Sequence, residues 1–144
     1  MKGKIFLVDW DVDAATRNAE ALRREGWHVE VETENGGRAY RHIRTSVPDA
    51  VVIDLRRRAS HGREVGSALR ELRATSTVPI VCIEDDADGR EQTRARIGDV
   101  RFASLDALSM TVADATRERA RAARDAAKAT ARARSSRTPT RRAD

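Results

Sequence analysis

The chain contains a single cysteine, Cys82, and has no long apolar run in its 144 residues. One cysteine cannot form an internal disulfide framework, and its isolation is typical of a protein from a reducing compartment. Met1 leads directly into a charged strand start, and no segment is as long as a signal-peptide core or a membrane span. These absences predict a cytoplasmic protein without membrane contact.

The sequence also lacks the motifs of common small-cofactor enzymes. No G-x-G-x-x-G pattern or phosphate-binding loop follows the first apolar segment. His28 and His61 do not show metal-ligand spacing with Cys82 or with each other, and no nucleophile–base pair stands out. We therefore expect no enzymatic activity, and a small flavodoxin-like enzyme is disfavoured.

Two apolar segments each end on an aspartate. Ile5–Val8 precedes Asp9, and Ala50–Ile53 precedes Asp54. Neither segment alternates with polar residues, which is typical of strands buried on both faces of a parallel sheet. Open α/β sheets place their ligand sites at the carboxyl ends of strands, so these two aspartates are the predicted chemical centre. Further strands are predicted at Trp27–Val31, Ile80–Ile83 and Val100–Phe102.

Helical segments alternate with the predicted strands. The first helix is predicted over Ala14–Glu25, with Asp13 as its N-cap and Gly26 as its stop signal. The other helices are predicted around Ala39–Ile43, Arg63–Thr75 and Gln92–Ile97, and from Leu105 onward. This alternation predicts an α/β domain in which right-handed crossovers place helices on both faces of a parallel sheet.

The C-terminal segment carries the whole charge imbalance of the chain. Residues 1–104 hold 18 Lys or Arg and 18 Asp or Glu, whereas residues 105–144 hold 10 and 5. After Val112 no large apolar residue remains. We therefore expect one domain over residues 1–115, followed at residues 116–144 by an Ala/Arg-rich helical extension and, from Ser135, a disordered basic tail.

Two interpretations of the basic tail stay open. It is a frayed helix that ends in disorder, or it contacts nucleic acid or another polyanion. Its basic residues have no aromatic neighbours, so contact with backbone charge is indicated and base stacking is not. The candidate polyanion contacts are Arg132, Arg134, Arg137, Arg141 and Arg142.

Several motifs resemble the receiver domain of bacterial response regulators, in the same order and at similar intervals. They are the acidic turn Val8-Asp9-x-Asp11, the segment Pro48-Asp49-x-Val51-Val52-Ile53-Asp54-Leu55, Gly62, and Val78-Pro79-Ile80-Val81. The resemblance covers about residues 3–115. It implies a flavodoxin-like, doubly wound, five-stranded parallel sheet with (βα)5 topology, here with an extended C-terminal helix and a disordered basic tail.

The resemblance also implies a chemistry. In receiver domains the aspartate that matches Asp54 accepts a phosphoryl group from a histidine kinase. A magnesium ion is held there by the acidic turn, here Asp9 and Asp11, by the acceptor and by a backbone carbonyl that matches Arg56. A cation neutralises the charge that develops when a carboxylate attacks a phosphoryl group.

The chain departs from the receiver pattern at the phosphorylation pocket, as an atypical pseudo-receiver variant would. Trp10 replaces the second acid of the turn, Glu84 the hydroxyl residue after the fourth strand, and Ser104 the lysine after the fifth strand. Arg101 replaces the aromatic switch residue. Glu84 would place an anion where phosphoryl oxygens should bind, whereas Arg56–Arg58 would supply replacement cations.

Three of these positions have alternative interpretations. Trp10 is a plug over the altered pocket or an aromatic side chain on a surface loop. Glu84 and Arg101 form an ion pair that replaces the hydroxyl–aromatic switch, or they are two separately solvated charges.

The sequence therefore predicts a stand-alone receiver-like protein of two-component phosphorelay signalling that acts by docking to a histidine kinase or a downstream partner. The expected docking surface is Glu84–Val112, and the expected state is a monomer or a weak homodimer. The alternative is an interaction module that works without phosphorylation and binds nucleic acid through its tail.

Overall fold

The computed structural model describes residues 2–136, which form five strands and five helices in strict alternation. The strands are β1 (Gly3–Val8), β2 (Trp27–Glu32), β3 (Ala50–Asp54), β4 (Ile80–Ile83) and β5 (Arg101–Phe102). The helices are α1 (Val12–Arg24), α2 (Gly36–Thr45), α3 (Ala59–Glu71), α4 (Ala87–Ile97) and α5 (Leu108–Ser136).

The strands form one parallel sheet in the order β2-β1-β3-β4-β5. Consecutive strands that lie in one parallel sheet need crossover connections, and the helices supply them. The predicted flavodoxin-like (βα)5 fold is therefore confirmed. Because all strands run the same way, their carboxyl ends share one edge, and the residues that follow β1 and β3 lie on it.

Side chains of the central strands alternate between two cores. In β1, Ile5 and Leu7 pack with Leu22 of α1 and Val112 of α5, and they are fully or almost fully buried. Phe6 and Val8 point the other way and join the cluster between the sheet and α2, α3 and α4. Each buried aliphatic side chain stabilises the fold by about 1.5–3 kcal/mol, so the continuous apolar runs hold both helical layers on the sheet.

The first four helices begin earlier than predicted, and the reason is clear for α1 and α3. α1 starts at Val12 because Asp11, and not Asp13, is the N-cap: its carboxylate accepts hydrogen bonds from the backbone of Asp13 (3.0 Å) and Ala14 (3.4 Å). α3 starts at Ala59, directly after Arg58, whose φ of 46° is left-handed. No side chain caps α3, so the sequence carried no start signal for it.

The last helix continues far beyond the domain, as predicted. α5 contacts the sheet through Leu108, Val112 and Ala115, and its residues from 120 onward are exposed. Ser135 and Ser136, which were expected to be disordered, still belong to this helix. The disorder predicted for residues 137–144 falls outside the described residues. Within residues 2–136, no helix has both the length and the apolar character needed to cross a membrane.

Candidate functional site: a carboxylate cavity at the sheet edge

Asp9 and Asp54 lie side by side at the carboxyl edge of the sheet. The parallel register pairs Val8 of β1 with Ile53 of β3, so the residues that follow them are neighbours. Both aspartates are buried, with 2% and 4% of their surface exposed. They line a cavity of about 260 Å³, which we call the carboxylate cavity; its lining consists of Asp9, Asp11, Ala14, Arg17, Asp54, Arg56 and Arg57.

The side chain of Arg56 folds back onto Asp54. Its Nη2 donates to Asp54 Oδ2 at 2.6 Å, and its Nε donates to Oδ1 at 3.0 Å. The backbone N–H of Arg56 donates to the same Oδ1 at 3.0 Å. Both carboxylate oxygens of the predicted phosphoacceptor are therefore hydrogen-bonded to a fixed cation in the fork geometry that guanidinium favours.

The two aspartates have opposite protonation preferences. Burial raises the pKa of Asp9 to about 6. The negative charge of Asp54 also raises this pKa, whereas the hydrogen bond from the Asp11 backbone lowers it. Burial also acts to raise the pKa of Asp54, but the hydrogen bonds and charge of Arg56 outweigh it and hold that pKa below 3.8. Asp54 is thus the ionised member of the pair, and Asp9 is protonated more easily.

Asp11 is held by two other interactions. It caps α1, and its Oδ2 forms an ion pair with Arg57 Nη1 at 2.7 Å. Asp9 Oδ1 accepts from the backbone N–H of Asp11 at 3.1 Å, whereas Asp9 Oδ2 is buried without a hydrogen-bond partner among the described residues. The acidic turn is therefore mainly a structural element of the start of α1.

As arranged here, these residues do not fit a magnesium ion. Magnesium prefers six oxygen ligands in octahedral geometry, but Arg56 engages both oxygens of Asp54, and Asp11 is committed to α1 and Arg57. Across residues 2–136, no three or more His, Cys, Asp or Glu side chains are grouped to hold a metal. The magnesium site expected from Asp9, Asp54 and the Arg56 carbonyl stays a prediction.

Known structures share this architecture. The chain superposes on chemotaxis protein CheY4 of Vibrio cholerae with a TM-score of 0.66 and 19% identity, covering 76% of this chain and 94% of CheY4. For the receiver domain of the Francisella response regulator 1452, the TM-score is 0.69 at 20% identity, with 81% and 98% covered. This chain has the receiver-domain fold.

Sequence comparison adds one regulatory protein. The chain is 36% identical over 78 residues to the photosynthetic apparatus regulatory protein RegA of Rhodobacter capsulatus. This match covers 54% of the chain and only 41% of RegA, so the chain spans about two fifths of that relative. No family model matches the chain.

Within the receiver fold, Trp10 packs beside the carboxylate cavity without lining it. Its ring lies close to Gly36 in α2 and Gly62 in α3: a Cβ added to these glycines would be 3.7 Å and 4.0 Å from the nearest Trp10 ring atom. The Trp10 and His61 rings pack edge to face, with 6.0 Å between their centroids. Trp10 packs against the core cluster that includes Val65. Trp10 is not among the residues that line the carboxylate cavity, so this packing gives the plug interpretation no support.

Glu84 also points away from the carboxylate cavity. Its Oε1 accepts a hydrogen bond from the backbone of Asp86 at 3.1 Å, beneath the first turn of α4, and Arg63 Nη2 lies 3.8 Å from its Oε2. A Cβ on Gly89 would come within 2.7 Å of the Glu84 carboxylate. Glu84 therefore supports the start of α4, and it does not line the cavity where it was expected to repel an anion.

The hypothesised ion pair between Glu84 and Arg101 is absent from the described residues. The register pairs Arg101 with Val81, three residues before Glu84, which is about 10 Å along the strand. Arg101 instead contacts Glu118 of α5. Ser104 is exposed in the turn before α5, where its Oγ accepts weakly from the Ala107 backbone at 3.4 Å.

Sequence reasoning missed two contributors to the cavity, Arg17 and the ion pair of Arg57. Arg17 follows Ala14 by three residues, so both lie on the α1 face that borders the cavity. The predicted helix Ala14–Glu25 already contained both residues, so this spacing could have indicated Arg17. Among the predicted polyanion contacts, Arg132 and Arg134 are exposed on α5, while Arg137, Arg141 and Arg142 lie outside the described residues.

Proposed function

We propose that this chain is a receiver-like signalling domain that docks to a partner protein and in which Arg56 takes the place of the metal ion beside Asp54. The observation that carries the proposal is the fork of hydrogen bonds from Arg56 to both oxygens of Asp54. A guanidinium in this position compensates the carboxylate without any ion from solution.

The Arg56 contact also makes Asp54 a poor nucleophile. Attack on a phosphoryl group requires a free lone pair that faces the donor, and both Asp54 oxygens already accept hydrogen bonds from Arg56. The pKa of Asp54 below 3.8 has the same cause and lowers the basicity of the carboxylate. The docking surface is then set without phosphorylation, because the charge balance at the sheet edge is already complete.

The partner would bind the Glu84–Val112 surface, which comprises α4, β5 and the start of α5. Leu105 and Met110 are large apolar side chains in this stretch with 43% and 71% of their surface exposed. Apolar side chains of this kind, surrounded by charge, are typical anchors of a protein interface. A histidine kinase or a downstream signalling protein is the class of partner that a receiver-like surface would serve.

A second function, phosphoryl acceptance in a phosphorelay, is favoured by the open cavity. Arg17 and Arg57 line it together with Asp54, so cations are available for phosphoryl oxygens. In that reaction an Asp54 oxygen forms a bond to phosphorus, the donor's bond to phosphorus breaks, and the donor leaves with the electron pair. Arg56 would have to release one carboxylate oxygen first.

Intact-mass spectrometry after incubation with magnesium and a small acyl phosphate distinguishes the two functions. We expect no adduct on the unaltered chain and one added phosphoryl group on Arg56→Ala, lost again when Asp54→Asn is added. Arg58→Ala is the matched control, because Arg58 is an exposed arginine in the same loop. An adduct on the unaltered chain would establish the second function.

A magnesium titration tests the role of Arg56 separately. Calorimetry, with Trp10 fluorescence as a second readout, should show magnesium binding to Arg56→Ala and none to the unaltered chain or to Arg58→Ala. Equal magnesium affinity in all three proteins would contradict the proposal that Arg56 replaces the ion.

A further inference from the structure

The exposed part of α5 carries a row of basic side chains on one face. Arg117, Arg121, Arg124, Lys128 and Arg132 follow one another at intervals of four, three, four and four residues. At 100° per residue these positions fall within about 80° of the helix circumference. All five side chains are exposed. We call this set the basic stripe; it extends about 22 Å along the helix.

Four members of the stripe have no ion-pair partner within the described residues. Arg117 pairs with Asp114, but no carboxylate lies within 4.0 Å of Arg121, Arg124, Lys128 or Arg132 in residues 2–136. Consecutive members of the stripe are also helix neighbours of like charge, an arrangement that destabilises an isolated helix. Asp125 is the one carboxylate among residues 121–132, four residues after Arg121 and three before Lys128, so it offsets only part of this repulsion. A bound polyanion would relieve the rest.

The opposite face of the extension indicates the class of ligand. Apart from Arg134, it presents alanine and small polar side chains from residue 120 to 136, with no Leu, Ile, Phe or Trp. A helix that lies in a lipid interface needs a large apolar face, and a stable protein interface needs an apolar core. A second copy of the chain would bring like charges together. A cationic, slender helix without apolar anchors fits a groove of double-stranded nucleic acid.

We infer that the basic stripe binds the phosphate backbone of double-stranded nucleic acid, independently of base sequence. This inference does not rest on the state of Asp54 or on the proposed function. No aromatic side chain follows Phe102 in the chain, so base stacking does not contribute. Binding of this type has a dissociation constant of about 1–100 µM at physiological salt and weakens steeply as salt rises.

Two double variants with equal charge change provide the test. Arg124→Gln/Lys128→Gln removes two charges from the stripe. Arg119→Gln/Arg134→Gln removes two charges from the same helix, but from positions on the other side. Binding to a fluorescent mixed-sequence DNA duplex is measured by anisotropy over a salt series with the full chain. The slope of log K against log salt is negative, and we expect its magnitude to decrease by about 2 in the stripe variant. The decrease should be much smaller in the matched control.

Each other outcome would overturn the inference. Equal losses in the two variants would mean that net charge, and not the stripe, attracts DNA. Absence of binding by the unaltered chain at low salt would exclude the interaction. Tighter binding to vesicles of anionic lipid than to the duplex would assign the stripe to a membrane surface. Circular dichroism of each variant confirms that α5 remains helical without DNA.

Discussion

Raising the pH through the range around Asp9's pKa should destabilise this fold. Asp9 has a pKa of about 6 in the folded chain, against an ordinary value of 3.8. A group whose pKa is higher in the folded state retains its proton there more strongly than in the unfolded state. The contribution of Asp9 to the free energy of unfolding is then greatest below pH 3.8 and is lost as the pH rises through 6. At about 1.4 kcal/mol per pKa unit, the difference between the folded and unfolded pKa of Asp9 corresponds to about 3 kcal/mol of stability.

Most of this effect lies in an accessible pH range. Asp54 and Glu30 have lowered pKa values, so the stability that they contribute is lost only as pH falls through 3.8 and 4.5. Between about pH 4.5 and pH 7 the Asp9 contribution should dominate and amount to about 2 kcal/mol. Urea denaturation at several pH values gives the free energy of unfolding over this range.

Asp9→Asn is the informative variant, because it retains the shape of the side chain and removes its titration. The free energy of unfolding of the unaltered chain should fall relative to that of Asp9→Asn as pH rises. Asp106→Asn, an exposed carboxylate outside the carboxylate cavity, should follow the unaltered chain. A constant difference between the unaltered chain and Asp9→Asn from pH 4.5 to 7 would refute the burial argument.

Three further predictions concern packing and capping. Gly66→Ala should lower stability by about 1–3 kcal/mol, since the added Cβ would overlap the Ile97 side chain; an unchanged urea midpoint would show that Ile97 moves freely. Cys82, whose pKa burial raises to about 12, should react with thiol reagents only in denaturant, and rapid labelling of the folded chain would contradict its burial. Asp86→Ala should lower stability by about 1 kcal/mol, because Asp86 caps α4. Asp85→Ala, at the exposed neighbouring position, should leave stability unchanged, and equal effects of the two variants would rule out the cap.

The strands were predictable because their own residues specify them. Ile5–Val8 and Ala50–Ile53 are continuous apolar segments, and the sheet buries both of their faces. The position of Asp9 beside Asp54 followed from the rule that parallel strands end at one edge. α4 was harder to predict, since its buried positions include Gly89 and Thr93. Neither residue marks an apolar face in a hydrophobicity pattern.

The details of the site depended on side-chain directions that the sequence does not encode locally. Arg56 was predicted to contribute a backbone carbonyl and, within Arg56–Arg58, a replacement cation. The sequence did not indicate that its side chain folds back over two residues onto Asp54 itself. The pairing of Glu84 with Arg101 failed because it assumed a strand register. β5 begins only at Arg101, opposite Val81, so the two charges are separated along the strand direction.

The shortness of β5 limits how another protein can join this sheet. An edge strand recruits a foreign strand through its row of unpaired backbone groups, and a strand of two residues offers too few of them for a register. Arg90 and Arg94 also stack over the Phe102 ring, at 5.5 and 4.9 Å from its centre. A partner that binds on this side therefore contacts side chains on a preformed helical surface. Extension of the sheet by a strand of another molecule is disfavoured at this edge.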